Sequence, residues 1–129
     1  MTDYSPVAGN GSLPFTMTAS VALTGGQLAV VTGVNTVGPA GAASTLCVGV
    51  AAHDAAIGAR VTLWPLDGLI HESVTPAGVT AGQGVQTAAA GTVDTVTTSI
   101  PAGAAAATLL GIAITTATAG LKVRWIGRT

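Results

Sequence analysis

Apolar and polar positions alternate with a period of two through Leu121-Lys122-Val123-Arg124-Trp125, the pattern of a strand with one buried face. The same alternation runs through Arg60-Val61-Thr62-Leu63-Trp64. Each segment is preceded by another apolar run, Cys47–Ala51 or Leu109–Thr115. Between the two runs lies Asp54-Ala-Ala-Ile-Gly58 or Thr116-Ala-Thr-Ala-Gly120. Asp or Thr can cap a tight turn there, and Gly can take the positive φ that ends it. The unit is strand, capped turn, strand. Further strands are expected at Leu28–Val34, Leu69–Val74, Val85–Ala88 and Thr92–Thr98. Turn signals separate them at Gly25-Gly26, Asn35 to Gly41, Asp67-Gly68, Pro76 to Gly78 and Ala90-Gly91. Ala104–Ala107 has helix propensity, limited to a turn or two by Pro101 and Gly103.

The two strand-turn-strand stretches form an internal repeat. Cys47 to Trp64 aligns with Leu109 to Ile126 without a gap at an offset of 62 residues. Gly49 meets Gly111, Ala51 meets Ala113, Gly58 meets Gly120 and Val61 meets Val123. Upstream, Thr24-Gly25-Gly26-Gln27 resembles Thr80-Ala81-Gly82-Gln83 at an offset of 56, so the second unit carries six extra residues. Many short strands at this spacing predict an all-β sandwich or small barrel. The expected organisation is an extended N-terminal arm over residues 1–16, then one β domain over residues 17–129, with repeat units at about 24–64 and 80–126.

Composition changes what this fold can do. Ala, Gly, Thr and Val supply 78 of the 129 residues, and only 7% are charged, against about 25% in an ordinary soluble domain. The core must be built from small and β-branched side chains. Net charge is −1 and there are four cations, Arg60, Lys122, Arg124 and Arg128. That is too few for nucleic-acid binding, which needs several phosphates neutralised. So few charges protect poorly against self-association, and suit a chain packed against other protein. The N-terminus lacks the basic and apolar regions of a signal peptide. Ala102 to Leu121 is uncharged but rich in Ala, Gly and Thr, and the repeat explains it better than a membrane span does.

Candidate chemistry is sparse. His53-Asp54 and His71-Glu72 are the histidine–carboxylate pairs, and neighbours on a strand point to opposite faces. His53 and Asp54 are expected in a turn, and His71 and Glu72 as polar residues of an edge strand. A metal centre would need these two distant pairs to converge, and none is expected. Gly82-Gln83-Gly84 lacks the Lys-Ser/Thr of a phosphate loop, and no Gly-x-Ser-x-Gly elbow surrounds Ser73. No catalytic residue and no cofactor are expected. Cys47, the single cysteine, reads as a buried structural thiol. Trp64 and Trp125 fall in matching strands one residue out of register and read as core aromatics.

The arm is different. Pro6, Gly9, Asn10, Gly11 and Pro14 oppose regular structure, yet Tyr4, Leu13 and Phe15 are large apolar groups in a chain with four aromatics. The arm lies on its own domain, lies on a neighbour, or is a free tail.

Val48-Gly49-Val50-Ala51, Asp54-Ala55-Ala56, Gly58, Val61 and Trp64 resemble a pattern of the small Ala/Gly/Thr-rich head-decoration, or capsid-cement, proteins of tailed bacteriophages. Leu110-Gly111-Ile112-Ala113, with Ala119-Gly120 and Lys122-Val123-Arg124, does so too. The resemblance spans about Gly25 to Arg128. It implies a compact β-barrel or β-tulip fold, often a homotrimer, attached to the outer surface of an expanded icosahedral shell. The partners implied are the major capsid protein and further copies of the chain, with no nucleic acid and no membrane. Made in the host cytoplasm, the protein would bridge neighbouring capsid subunits. Tyr4, Pro6, Leu13 and Phe15 are then the candidate contacts to capsid or to another protomer. The alternative is another phage β module, of a tail tube, fibre or adhesin-like part.

Overall fold

A computed structural model of the chain describes residues 3–8, 13–96 and 108–127. Ten strands follow one another: β1 (Phe15–Ala19), β2 (Leu28–Gly33), β3 (Thr36–Pro39), β4 (Cys47–Ala51), β5 (Arg60–Trp64), β6 (Ile70–Val74), β7 (Gly84–Ala88), β8 (Thr92–Thr95), β9 (Gly111–Ala113) and β10 (Lys122–Gly127). The first five close a barrel in the order β1-β3-β2-β4-β5, and the last five form a sheet in the order β6-β10-β9-β7-β8. The fold is all-β and contains a small barrel, as expected. The helical expectation at Ala104–Ala107 lies outside the described residues.

The repeat is carried by all ten strands. Met17 pairs with Val61 in the first unit, and Ser73 with Val123 in the second. Ala29 faces Gly49, and Val85 faces Gly111. Val31 faces Val37, and Thr87 faces Val93. Each pair is reproduced at the offsets of 56 and 62 read from the sequence. The units therefore also include β1 and β6, which lie upstream of the segments the sequence alignment matched. The six extra residues fall in the connection between β8 and β9.

The turn chemistry repeats as well. Gln27 Oε1 accepts the Thr24 N–H at 2.8 Å, and Gln83 Oε1 accepts the Thr80 N–H at 2.7 Å. Asp54 Oδ1 accepts the Gly25 N–H at 3.0 Å, where Thr116 Oγ1 accepts the Ala81 N–H at 3.0 Å. The capping oxygen thus reaches across to the other turn of its unit, not to its own. Gly58 and Gly120 take φ of 84° and 85°, the left-handed conformation expected of them.

One difference separates the halves. In the first unit, Ser20 N–H donates to Val37 O at 2.9 Å and Thr18 N–H to Asn35 O at 3.0 Å. These bonds help join β1 to β3 and close the barrel. At the offset of 56, Ser20 corresponds to Pro76. Proline has no N–H, so the matching bond to Val93 O cannot form. β6 and β8 accordingly remain the two outer strands of the second sheet.

β1 and β3 were not expected as strands. β1 takes in Phe15 and Thr16, the last residues of the expected arm. Its Phe15, Met17 and Ala19 alternate towards the first barrel's core, a period-two signal present in the sequence. β3 lies within Asn35 to Gly41, a stretch of turn residues. Pairing on both sides, with β1 and β2, holds it extended, and Val37 is fully buried. Tertiary pairing overrides local preference there.

Two cores result. The first barrel encloses Ala19, Leu23, Ala29, Val37, Ala51, Val61 and Leu63. The second gathers Val79, Val85, Val93, Leu110, Val123 and Trp125 with Leu28, Ala40 and Val50 of the first unit. Leu28 and Val50 thus belong to strands of one half and the core of the other. Gln27 Nε2–H donates to Ala90 O at 3.0 Å, and Gly91 N–H to Ala40 O at 2.9 Å, across the same boundary.

Candidate binding surface

The arm runs along the outside of both halves. Asp3 makes an antiparallel bridge to His53, and Ala8 makes another to Ile70 on the free edge of β6. Tyr4 is the anchor between them. Its N–H donates to Ala52 O at 2.6 Å, and its carbonyl accepts the indole N–H of Trp64 at 3.1 Å. Its hydroxyl lies 2.7 Å from His71 Nδ1 and accepts the Glu72 N–H at 3.2 Å. One residue therefore ties the first unit, through Ala52 and Trp64, to the second, through His71 and Glu72. Burial pushes the Tyr4 phenol up to about 12, with the Glu72 carboxylate adding to this and the Glu72 N–H opposing it.

The four arm residues singled out in the sequence have different surroundings. Tyr4 and Pro6 are half-buried, and Phe15 is half-buried against the first barrel's core. Leu13 is 83% exposed. Other large apolar groups in the open include Val34, Leu46, Ile57 and Leu121. Val34 sits at the β2–β3 turn and Ile57 at the β4–β5 turn. A charge-poor surface bearing such side chains suits contact with other protein.

His71 and Glu72 point to opposite faces of β6, as strand alternation requires. His71 is fully buried, which corrects the reading of it as a polar edge residue. It lies on an outer strand but faces inward, and the arm covers it. Glu72 faces the other way and pairs with Arg124 at 3.2 Å. His53 Nδ1–H donates to Asp54 O at 2.9 Å, and its Nε2 accepts the Thr62 N–H at 3.2 Å. Among the described residues no group of His, Cys, Asp and Glu converges to hold a metal ion.

The two tryptophans also part. Trp125 is fully buried and donates to Ser73 Oγ at 3.0 Å. Trp64, one residue out of register, is half-buried on the outer face beneath the arm. Only Trp125 is a core aromatic. Nothing local in the sequence announces the Tyr4–His71–Trp125 cluster, because Tyr4 and His71 are 67 residues apart. Cys47 is partly buried. Burial pushes its thiol to about 12, so it is protonated and unreactive at neutral pH. Beside the arm, a cleft of about 340 Å³ opens between Glu72–Val74 on β6 and Ala90–Thr92 at the start of β8, where closure is missing. Among the described residues no helix is long and apolar enough to cross a membrane. The Ala102–Leu121 stretch instead contains β9.

The fold has a solved counterpart. The crystal structure of the N base of head fiber gp8.5 in bacteriophage phi29 aligns with a TM-score of 0.66 and 20% identity, covering 91% of this chain and 94% of that one. At that identity the likeness is one of fold. No curated protein matches the chain. The sequence matches the phage cement protein family over residues 7–126, nearly its whole length. The expectation drawn from the strand-turn-strand motifs therefore holds: the chain belongs to the phage cement protein family and is a structural, non-catalytic β-protein of phage particles.

Proposed function

We propose that this protein binds the outer surface of an expanded phage capsid and stabilises it by bridging neighbouring copies of the major capsid protein. The family match over residues 7–126 carries this reading. The charge-poor surface and its exposed apolar side chains support it. The mechanism is mechanical. Each bridge adds binding free energy that must be lost before adjacent subunits separate, and many modest contacts act together as avidity does. The chain assembles on the shell as a homotrimer. A core with one large buried aromatic among Ala, Val and a few Leu leaves stability to be gained by burial between protomers.

The test is to mix purified protein with emptied, expanded capsids and sediment the particles. Saturable co-sedimentation, absent with unexpanded shells, is the expected result. No binding to either form would overturn the reading. The arm residues Tyr4, Pro6, Leu13 and Phe15 form the proposed contact set, with Leu13 the one that is free to reach a partner. Replacing it with Asp should leave the melting temperature within about 2 °C, since exposed positions shift stability by about 0.5 kcal/mol or less. Capsid affinity should fall about tenfold or more. Unchanged affinity would remove Leu13 from the interface.

A second reading is favoured by the likeness to a head-fibre base: another phage structural module, of a fibre, tube or adhesin-like part. It predicts head-to-tail association into elongated particles. Electron microscopy of the concentrated protein separates the two, with closed oligomers for the first reading and filaments for the second.

A further inference from the structure

The bonds that hold the arm fix the positions of their protons. His71 Nε2 lies 2.9 Å from the Pro65 carbonyl oxygen. A carbonyl only accepts, so Nε2 carries a proton. Nδ1 lies 2.7 Å from the Tyr4 hydroxyl. That oxygen already accepts the Glu72 N–H, and its own proton goes to Nδ1. A neutral imidazole protonated on Nε2 satisfies all three bonds with the Tyr4 hydroxyl donating to the ring. Adding a proton to Nδ1 sets it against the Tyr4 hydroxyl proton, which must then turn away from the ring to another acceptor.

No anionic group touches the ring to compensate a cation there. His71 is fully buried. Tyr4 stacks on it with centroids 5.9 Å apart and planes 17° apart, and Trp125 lies against it at 5.0 Å. Its hydrogen-bond and stacking partners from the arm, the β5–β6 connection and β10 are thus Tyr4, Pro65 and Trp125, none of them anionic. The charged groups nearby look elsewhere. Glu72 of β6 is paired with Arg124 of β10. Lys122 of β10, Asp67 of the β5–β6 connection and Asp3 of the arm are exposed. His53, bridged through its backbone to Asp3, is the other imidazole along the arm.

We propose that this cluster is a pH-gated latch, in which neutral His71 holds the arm on β6 and protonation of the ring releases Tyr4 and, with it, residues 3–8. A ring freed from the cluster titrates at about 6.5. Burial holds the latched ring below that value, with the Pro65 carbonyl working the other way. The released form therefore binds a proton that the latched form excludes. Latching is complete above about pH 6.5 and weakens as pH falls, until the depressed value of the latched ring is reached. Across that window the opening constant rises about tenfold per pH unit.

Hydrogen exchange of the Tyr4 and Val7 amides tests this. They donate to Ala52 O and Ile70 O in the latched arm. Corrected for intrinsic rates, arm opening should increase between pH 7.5 and pH 5, by up to about tenfold per pH unit below pH 6.5. In the variant H71Q the side-chain amide can still donate to Pro65 and accept from Tyr4 but does not titrate. Its opening should be independent of pH. A flat profile in the unaltered protein would overturn the latch. So would the same acid-driven rise in H71Q, which retains His53 and would assign the release to it. Should H71Q fail to fold, the imidazole ¹⁵N shifts of the unaltered protein at pH 7 decide the matter. A proton on Nε2 is expected, and one on Nδ1 overturns the proposal.

Discussion

Replacing Gly111 with Ala should destabilise the protein by about 3 kcal/mol or more. A methyl group at this position would overlap the Ile126 carbonyl of the adjacent strand. Both groups are backbone, so no side chain can swing away to relieve the contact. Gly111 pairs with Gly127 on one side and Val85 on the other, so β9 cannot move either. The repeat supplies an internal comparison. Gly49 holds the corresponding place, and a Cβ there would lie 2.7 Å from the Trp64 carbonyl oxygen and 3.3 Å from Leu63 Cβ. Gly49→Ala should therefore also destabilise, by less, about 1–3 kcal/mol. At Gly41 a methyl group would meet nothing within 4 Å, and φ there is not positive. Gly41→Ala should be neutral to within about 0.5 kcal/mol. Urea denaturation of the three variants gives the order directly. If Gly111→Ala unfolds at the midpoint of Gly41→Ala, close strand approach is not why both halves keep glycine at this position.

That pair of glycines shows what kind of information the sequence held. Gly49 and Gly111 aligned, and so did the Asp54/Thr116 and Gly58/Gly120 turn residues. Their partners lie in the same repeat unit, so the matched pattern reported a matched environment. Closure of the barrel was of another kind. It depends on whether the residue that follows β1, or its counterpart just beyond β6, can donate to a strand some seventeen residues further on. Ser20 can and Pro76 cannot, but the difference acquires meaning only once β3 is known to lie opposite. β3 itself was hidden because Gly38 and Pro39 read as turn residues, while the force that extends them is pairing on both edges. Alternation at Phe15, Met17 and Ala19 was visible, but the Gly- and Pro-rich residues before it drew the arm's boundary too far along.

The seat of the arm on its own domain was legible in part for a similar reason. Stranded aromatics in the arm pointed to an anchor, and Tyr4 is one. Its receptor was not legible, since His71 and Trp64 carry no local sign of lying under another segment. His71 read as polar because its neighbours Glu72 and Ser73 are polar. Alternation allows one of each adjacent pair to face inward, and the arm supplies the cover that an outer strand otherwise lacks.

Trp125→Ala should have the larger effect of the two tryptophan truncations, about 4 kcal/mol. Among the fully buried side chains Trp125 is the largest, and the rest of the second core's buried cluster consists of Leu, Val and Ala. Small side chains cannot extend to fill the space left behind, so most of the cavity persists. Ser73 Oγ loses its indole donor, and the imidazole of His71 loses the ring against which it rests. Against a typical total of about 5–15 kcal/mol for a domain, such a loss leaves a marginal fold. Trp64→Ala removes a half-buried ring from the outer face and one hydrogen bond to the Tyr4 carbonyl, and should cost about 1–2 kcal/mol. Its distinctive consequence should be faster exchange of the Tyr4 amide, with the second core unaffected. Thermal melts of both variants, read beside arm exchange, separate the two roles. Equal losses would mean that the register offset between the tryptophans has no energetic meaning. The expected inequality would instead locate much of the stability of this small-residue protein around Trp125, the largest of the fully buried side chains among the described residues.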